Sequence, residues 1–506
     1  MKFFFRTLRL FSTASGTQTP ISKRPQSPII KRMKPLIIIY GSTGTGKSDL
    51  AVELATRFNG EVINADAMQM YKGLPIITNK ITPEEQKGIP HHLLGNIELS
   101  EDPWFVTRFK QEATRTITEI RSRDKLPILV GGSSYYIDGL LFDQRLVDTQ
   151  KPSSEEGWTS NREELATQHP ILTGSGEAMW AKLREIDPAM ADKWHPNDVR
   201  KIRTSLEIYF ATGRTASEIY AEQKSRKRAR SPQQDPSLGE VLIFWLYAHR
   251  DPLNARLDKR VVKMVKNGLM DETSEVYEYL QSCLASGKSV DRSKGIWQSI
   301  GFRQFEPYLR ARKETPDDQE DLAKLMATGI EDTKTATRQY AKYQLRWMST
   351  KTLTCLQEEN LMDKLYLLDS SNLDTWRQEV LEKGVDLTRK FLTGEEPLPV
   401  PASISETARE VLDEAVQRSK RKDTPCRKTC EVCDKTLLTE ELWQQHITSS
   451  KHNKVVRAKK KRALIPADRI PSRALAKLDD DDSSPPPERK AQKTEEAHLE
   501  QILEDK

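Results

Sequence analysis

The sequence has few cysteines and lacks any long apolar run. Five cysteines in 506 residues are too few for a disulfide scaffold, and two of them form a Cys-x-x-Cys pair. We therefore expect a reducing compartment. No apolar stretch approaches the roughly 20 residues that a membrane span needs, and the longest, residues 241–248, reads as a buried strand. The composition thus argues against a secreted disulfide-rich fold and predicts no membrane span.

Acidic residues are absent from the first part of the chain, where no Asp or Glu precedes Asp49. Residues 1–11 are basic and apolar, and Ser/Thr-rich sequence follows them. This composition predicts a mitochondrial transit peptide over residues 1–34, with a disordered arm as the alternative. Basic clusters at 224–230 and 459–462 suit either nuclear import or RNA contact. We expect mitochondrial and cytoplasmic protein, with the nucleus as a further location.

A phosphate-binding loop follows the first apolar run. Its residues match G-x-x-x-x-G-K-[ST] without a gap: Gly41, Ser42, Thr43, Gly44, Thr45, Gly46, Lys47 and Ser48. A β-branched run precedes the loop and an amphipathic segment, residues 49–58, follows it, which is the strand–loop–helix context that the motif requires. In such loops backbone N–H groups surround a phosphate. We expect Lys47 to reach the outer phosphates and Ser48 to hold Mg²⁺.

One carboxylate is expected beside this loop. The strand after the first helix leads to Asp66, whereas the apolar strand 126–130 ends in Gly131, Gly132 and Ser133, where a nucleotide hydrolase would carry a metal-binding Asp. This pattern argues against nucleotide hydrolysis. It favours chemistry in which a phosphate group leaves and Asp66 accepts a proton. The alternatives are a small-molecule or nucleoside kinase, and a nucleic-acid-binding protein with a degenerate P-loop.

Seven segments of the chain together resemble the tRNA dimethylallyltransferases, also called tRNA isopentenyltransferases. In the family's order they are residues 41–48 for its P-loop, 66–71 for D-S-M-Q-V-Y, 88–93 for G-[IV]-P-H-H, 131–133 for G-G-T, 195–198 for H-P-N-D, 295–302 for a segment ending in I-G-[FY], and 336–342 for A-T-R-Q-[YL]-A-K. Ala67, Met70 and Ser133 depart from the family pattern. The matches extend from about residue 36 to 348.

The resemblance implies a reaction and its residues. A dimethylallyl group would pass from dimethylallyl diphosphate to the N6 amine of the adenine 3′ to a tRNA anticodon, with Asp66 as the base. Thr43 and Arg256 would contact the diphosphate. The residues implied in binding the tRNA anticodon stem-loop are Asp66, Ala67, Met68, Gln69, Ser133, Arg200, Lys201, Ile202, Arg203 and Thr204.

A second RNA-binding surface is predicted from charge spacing. Lys334, Arg338, Lys342 and Arg346 recur every four residues and would form one basic stripe on a helix, which suits a phosphate backbone. Arg338 and Lys342 of this stripe lie within or at the end of the segment that resembles A-T-R-Q-[YL]-A-K. We therefore predict that these two residues contact tRNA.

The C-terminal region carries a zinc-binding pattern. Cys430, Cys433, His446 and His452 have the spacing C-x2-C-x12-H-x5-H, which allows two thiolates and two imidazoles to hold a tetrahedral Zn²⁺ ion. Residues 424–463 contain ten Lys or Arg against four Asp or Glu, an excess that favours nucleic acid. The finger is predicted to bind structural zinc, and its partner is either RNA or protein.

The predicted fold is α/β, with a P-loop parallel-sheet core, a helical tRNA-binding insertion and a small C-terminal zinc finger. The expected segments are a transit peptide or arm (1–34), the first part of the core (35–140), the insertion (141–222), a disordered loop (223–240), a mostly helical core completion (241–395), a linker (396–423), the finger (424–457) and a disordered tail (458–506). We expect a monomer.

Overall fold

The computed structural model describes residues 34–142, 164–229, 238–394 except 289 and 293, 397–420, and 424–463 except 434. The chain forms two compact units. The larger comprises the residues up to 168 together with 208–422, and the smaller comprises 169–207 together with the residues from 423 onward. The predicted transit peptide, apart from residue 34, lies outside the described residues.

Six parallel strands form the central sheet of the larger unit. Strands β1 to β6 are Leu36–Gly41, Gly60–Asn64, His91–His92, Leu126–Val130, Val241–Tyr247 and Leu365–Asp369. Their order across the sheet is β3-β2-β4-β1-β5-β6, so β1 with its P-loop lies between β4 and β5. In register, Ile38 of β1 pairs with Leu129 of β4 and Ile243 of β5. The predicted α/β fold with a parallel sheet is confirmed.

Both faces of the sheet are covered, and β1 shows why its sequence is apolar throughout. Leu36, Ile38 and Tyr40 pack in one hydrophobic cluster, whereas Ile37 and Ile39 pack in another. Because alternate side chains of a strand point to opposite faces, a strand between two helical layers must be apolar at every position. All five side chains are at most 1% exposed.

Helices surround the sheet and build the smaller unit. Helices α1 to α17 cover, in chain order, Lys47–Phe58, Pro83–Gln86, Val106–Ser122, Ser134–Leu141, Gly176–Ile186, Pro188–Lys193, Val199–Thr212, Ala216–Ala229, Arg250–Lys266, Leu269–Ala285, Phe302–Glu314, Gln319–Trp347, Leu353–Glu358, Lys383–Thr393, Glu406–Lys420, Glu440–Thr448 and Ser450–Ala463. Short 3₁₀ or π turns lie at Pro170–Thr173, Gly295–Gln298, Met348–Thr352, Met362–Lys364, Arg377–Glu382 and Pro401–Ser403. None of the described helices is long and apolar enough to span a membrane.

The predicted linker 396–423 is largely a helix of the core. In α15, Ala408, Leu412 and Ala415 are buried in the main hydrophobic cluster, and the hydroxyl of Thr407 donates to Asp369 at the end of β6 (2.7 Å). The i, i+4, i+7 spacing of these apolar residues is that of a helix face packed on a core, so this helix belongs to the core and not to a linker.

Two segments predicted to be disordered also contain helix. Helix α8 extends to Ala229, inside the predicted loop 223–240, and α17 extends to Ala463, inside the predicted tail. Lys, Arg and Ala have high helix propensity, so a run of basic residues does not by itself indicate disorder. Within the predicted loop, Leu238 is buried at 1% exposure. Residues 230–237 and 464–506 lie outside the described residues.

The smaller unit combines part of the predicted insertion with the finger. Ser175 caps α5 by accepting from the N–H of Ala178 (3.2 Å), and Asp187 caps α6 by accepting from the N–H of Met190 (3.1 Å). The finger contains two antiparallel strands, β7 (Pro425–Cys430) and β8 (Lys435–Thr439), and Arg427 of β7 joins the two parts. Its guanidinium lies 3.1 Å from the Asp192 carboxylate, and its Cζ lies 4.6 Å from the ring centroid of Trp180.

Candidate active site

The P-loop joins the end of β1 to the start of α1. Gly44 and Gly46 have φ angles of 82° and 83°, a left-handed conformation that favours glycine. A Cβ atom on Gly46 would lie 2.8 Å from Nε1 of Trp376, and one on Gly44 would lie 2.8 Å from Cδ2 of Leu257. Backbone angle and close packing therefore both require glycine at these two positions.

Side chains of the P-loop stabilise its turn. The Thr45 hydroxyl donates to the carbonyl of Ser42 (2.9 Å), and the Lys47 ammonium donates to the same oxygen (2.7 Å). Burial lowers the pKa of Lys47 to about 8, although the nearby Asp66 carboxylate opposes this shift. Lys47 is thus a desolvated cation at the base of the loop, and an anionic ligand bound there would raise its pKa and favour the charged form.

Glycines at the end of β4 let neighbouring segments approach the site closely. A Cβ atom on Gly131 would lie 2.1 Å from the carbonyl oxygen of Ala65. One on Gly132 would lie 2.4 Å from Nε2 of Gln344 and 3.1 Å from a carboxylate oxygen of Asp66. The glycines predicted in place of a metal-binding Asp therefore have a steric reason, because they leave room for Asp66 and Gln344.

Asp66 lies just after β2 and is oriented by backbone and side-chain groups. The Asn64 amide oxygen accepts from the N–H of Asp66, and the Asp66 carboxylate accepts from the N–H of Met68 (both 3.1 Å). Burial raises the pKa of Asp66, while Lys47 and the N–H groups of Met68 and Gln69 oppose this shift. A carboxylate with a raised pKa beside a cation is a good proton acceptor.

Arg256 and Arg260 lie one turn apart on α9 but make different contacts. The Arg256 guanidinium donates to the carbonyl of Gly44 (2.7 Å) and to those of Ser370 (2.8 Å) and Ser371 (3.2 Å). These bonds join the P-loop to the end of β6. Arg260 donates instead to the hydroxyl of Thr43 (3.3 Å), and burial lowers its pKa to about 10.

The predicted diphosphate arginine, Arg256, therefore directs its two Nη groups to backbone carbonyls in this structure. Arg260, which the sequence reading missed, bonds the predicted diphosphate residue Thr43 and interacts electrostatically with Lys47 and Asp66. The i, i+4 spacing from Arg256 was the available signal, because it places both cations on one helix face.

Two further residues of the site come from α12. Gln344 connects two walls, since its amide oxygen accepts from the N–H of Thr43 (2.9 Å) and its Nε2 donates to the carbonyl of Gly132 (2.9 Å). Tyr340, one turn earlier, hydrogen-bonds the side chains of Gln344 and Ser133, and burial raises its pKa. Neither was predicted, because about 300 residues separate α12 from the P-loop in sequence.

The residues predicted to contact the target nucleotide lie beside Asp66. The N–H of Ala67 donates to the hydroxyl of Ser133 (3.0 Å), and the side-chain amide of Gln69 donates to the carbonyl of Asn79 (3.1 Å). Ala67, Met68, Gln69 and Ser133 are all half-buried. Residues 66–69 are consecutive in the chain, and the bond from Ala67 to Ser133 connects them to the end of β4.

The predicted basic stripe on α12 is only partly available. Lys334 pairs with Glu331 (2.6 Å), and Arg338 pairs with Asp258. Lys342 and Arg346 are exposed, and no carboxylate among the described residues lies within ion-pair distance of either. The C-terminal half of the stripe is therefore the stronger candidate for binding phosphate groups.

In the smaller unit, the predicted RNA contacts lie along α7 and differ in exposure. Arg200 and Lys201 are exposed, and Arg203 pairs with the buried carboxylate of Glu207 (3.0 Å). Ile202 is fully buried, so its side chain packs inside the protein. Thr204 donates its hydroxyl to the carbonyl of Arg200 (3.0 Å).

The four predicted zinc ligands lie together in the finger. One ligand atom from each of Cys430, Cys433, His446 and His452 lies within 4.8 Å of the others. Nε2 of His446 is buried without a hydrogen-bond partner, and Sγ of Cys430 lies 3.6 Å from Nδ1 of His452. A two-thiolate, two-imidazole donor set with such an unpaired buried nitrogen fits Zn²⁺.

In the larger unit, the P-loop, Asp66 and the side chains from α9 and α12 meet at a cavity of about 520 Å³. Its lining includes Lys47, Ser48, Asp66, Arg260 and Gln344. A phosphate-binding loop, two half-buried cations and an oriented carboxylate define a P-loop α/β protein built to hold an anionic leaving group beside a proton acceptor.

Comparison with known proteins specifies this class. The family model described as IPP transferase matches residues 69–351, more than half of the chain, so the chain belongs to the IPP transferase family. The finger matches the family described as zinc-finger double-stranded RNA-binding over residues 427–453. The chain is 39% identical to the tRNA dimethylallyltransferase of Schizosaccharomyces pombe, covering 85% of this chain and 97% of that one.

Two further relatives support this assignment. The tRNA dimethylallyltransferase of Homo sapiens is 32% identical, and the alignment covers 87% of this chain and 89% of the human protein. A solved structure of a eukaryotic dimethylallyltransferase acting on tRNA is similar with a TM-score of 0.66 and 31% identity, covering 85% of this chain and 98% of that chain. The predicted family is confirmed.

Proposed function

We propose that this protein is a prenyltransferase that moves a dimethylallyl group from dimethylallyl diphosphate to the N6 amine of the adenine 3′ to a tRNA anticodon. The observation that carries the proposal is the position of Asp66 in the same cavity as Lys47, Arg260 and the P-loop of an IPP transferase family member. The proposed nucleophile is uncharged and the leaving group is anionic. Asp66 accordingly serves as a base for the nucleophile, and Lys47 and Arg260 supply positive charge for the leaving group.

The proposed reaction exchanges one bond for another. The N6 lone pair attacks C1 of the dimethylallyl group, the bond from C1 to the bridging diphosphate oxygen breaks, and the diphosphate leaves with that electron pair. The proton lost from N6 goes to the Asp66 carboxylate. Because burial raises the pKa of this carboxylate, it accepts a proton more readily than an exposed Asp.

The departing diphosphate would be stabilised by groups already directed at the cavity. Lys47 and Arg260 supply positive charge, while the P-loop supplies backbone N–H groups and the Thr43 hydroxyl. Ser48 offers the hydroxyl that P-loops use for Mg²⁺, and the ion would neutralise diphosphate charge when bound. Arg256 also lines the cavity, and its bonds to backbone carbonyls hold the P-loop against the end of β6.

The adenine must leave the anticodon stack before it can reach Asp66. Ala67, Met68, Gln69 and Ser133, which adjoin Asp66, are placed to receive the extruded nucleotide. The smaller unit would bind the anticodon arm through exposed Arg200 and Lys201, and the zinc-loaded finger would add RNA contacts. We also propose a monomer that acts in the mitochondrion and cytoplasm, with the nucleus as a further location.

The deciding experiment supplies the purified protein with Mg²⁺, dimethylallyl diphosphate and an unmodified tRNA bearing adenine next to its anticodon. Nucleoside mass spectrometry should detect a five-carbon addition to that adenine. Asp66→Asn keeps the shape of the side chain but accepts no proton, so we expect its kcat to fall about 10²- to 10⁴-fold while tRNA binding persists.

Two results would contradict the proposal. Absence of the modified nucleoside together with phosphate transfer from ATP to a small acceptor would favour the kinase. Loss of tRNA binding in Asp66→Asn, rather than loss of turnover, would mean that Asp66 is mainly a binding residue. Asp124→Asn, which changes an exposed carboxylate outside the cavity lining, serves as the matched control for the loss of one negative charge.

A further inference from the structure

Three aromatic side chains form an exposed cluster beside the cavity, here called the aromatic platform: Tyr135, Tyr343 and Trp347. The ring centroids of Tyr135 and Trp347 are 6.2 Å apart in an edge-on arrangement, and those of Tyr343 and Trp347 are 5.9 Å apart. Tyr135 is 51% exposed and Tyr343 is 56% exposed. Large aromatic side chains that are clustered and exposed commonly mark a binding surface.

The platform is rigid because a buried carboxylate holds its central ring. The indole N–H of Trp347 donates to Asp138 (2.9 Å), which is fully buried. The hydroxyls of Tyr40 (3.0 Å) and Thr352 (2.9 Å) also donate to Asp138. Thr352 ends the π turn that begins directly after Trp347, a local irregularity that is frequent at functional sites. The half-buried indole of Trp347 gives the exposed rings of Tyr135 and Tyr343 a fixed neighbour, which reduces the entropy lost when a ligand stacks there.

Two residues of the platform are close in sequence to residues of the site. Tyr135 lies two residues after Ser133, whose hydroxyl accepts from the N–H of Ala67 beside Asp66. Tyr343 precedes Gln344, whose side chain bridges Thr43 of the P-loop and Gly132. The platform thus lies next to the groups proposed to receive the adenine, rather than on an unrelated surface.

Positive charge flanks the aromatic rings. Lys342 and Arg346 are exposed on the same helix, adjacent in sequence to Tyr343 and Trp347 respectively. In the part of the chain that the structure describes, neither has a carboxylate within ion-pair distance. Aromatic rings interleaved with cations that lack acidic partners match the two chemical components of single-stranded RNA, its bases and its phosphates.

We propose that the aromatic platform stacks on a nucleotide that flanks the adenine extruded into the cavity. This inference rests on the proposed function. Extruding a base deprives its neighbours of a stacking partner, and an exposed ring beside the cavity replaces that partner. Stacking of one base on an aromatic side chain strengthens binding by about 5- to 150-fold. Lys342 and Arg346 bind the adjoining phosphates, while the rings tolerate different bases because every base has a stacking face.

The test measures binding of a synthetic unmodified anticodon stem-loop by fluorescence anisotropy. We expect Tyr343→Ala and Tyr135→Ala each to weaken binding about 5- to 150-fold, and Tyr343→Phe and Tyr135→Phe to stay within about twofold of wild type. A second stem-loop carries an abasic nucleotide in place of one neighbour of the target adenine. If the platform stacks on the base of that neighbour, wild-type protein and the alanine variants should bind this abasic stem-loop with equal affinity.

Salt dependence separates stacking from charge. Lys342→Ala should reduce the slope of log Kd against log salt by about 1, whereas Tyr343→Ala should leave this slope unchanged. Unaltered RNA affinity of both alanine variants, with wild-type transfer activity intact, would overturn the platform alone. Failure of the wild-type protein to bind the stem-loop and modify its adenine would overturn the proposed function and this inference with it. Unchanged melting of the variants ensures that lost affinity is not lost folding.

Discussion

The larger unit and the finger reach a stable structure in opposite ways. In the larger unit, the central strands are buried on both faces and their side chains are almost entirely inaccessible to water. In the finger, Cys430 is the only buried side chain among those described in residues 424–463. Such a small surface cannot offset the conformational entropy of about 40 residues. The core is thus stabilised by apolar burial, whereas we expect the finger to depend on metal bound by its four predicted ligands.

Metal removal should give the largest difference between the two units. Because apparent zinc binding supplies about 10–16 kcal/mol in small fingers, we expect a chelator to unfold residues 424–463 and leave the melting of the larger unit unchanged. Hydrogen exchange of the finger amides measures the effect, and tRNA affinity should fall with it.

Cysteine variants provide the matched test of the same idea. Cys433→Ser removes a ligand and should mimic chelation, whereas Cys426→Ser changes a thiol outside the four-ligand cluster and should have no effect on exchange. Finger amides that remain protected after chelation would mean that packing, and not metal, stabilises this region.

Replacing one leucine in each unit should give a stability difference smaller than that caused by metal removal. Leu412 of α15 is 4% exposed in the core, whereas Leu442 of the finger is 45% exposed. Leu412→Ala should lower the free energy of unfolding of the larger unit by about 2–5 kcal/mol, because it leaves a cavity. Leu442→Ala should change the free energy of unfolding by no more than about 0.5 kcal/mol, because its side chain is largely exposed. Urea denaturation measures both, and equal effects would contradict the placement of α15 in the core.

The smallest effect concerns pH, and it arises from the same burial that stabilises the core. Since burial lowers the pKa of Lys47 to about 8, its positive charge is lost as the pH rises through that value. We expect kcat/KM for dimethylallyl diphosphate to fall above about pH 8, approaching tenfold per pH unit. On the acid side, protonation of Asp66 should reduce kcat/KM at a higher pH than for an ordinary Asp, because its pKa is raised.

Lys47→Arg tests the assignment of the alkaline limb. Arginine has a higher intrinsic pKa than lysine, so between about pH 8 and 9 the variant should retain a plateau where the wild type declines, even if its maximum rate is lower. An alkaline limb that does not move in this variant would assign the titration to another group.

Local patterns predicted the parts of this protein whose chemistry lies within a few consecutive residues. The P-loop, Asp66, the glycines after β4 and the finger ligands were each recognisable from spacing. The segment that was misread, 223–240, is rich in charge and contains helix. In 396–423, the burial of Leu412 places the helix on the core, which composition alone does not show.

By itself, the sequence determined the strand–loop–helix unit, the likeness to its family and the metal-binding finger, because each depends on near neighbours in the chain. Only the tertiary structure decided which distant side chains complete the site. Gln344 meets Thr43 across 301 positions, and Arg260 meets the same residue across 217. It also showed that Arg256 and Arg260, which both line the cavity, have different partners: Arg256 bonds backbone carbonyls, and Arg260 bonds the hydroxyl of Thr43. Such contacts arise where α9 and α12 pack around one cavity, and no local spacing encodes that packing.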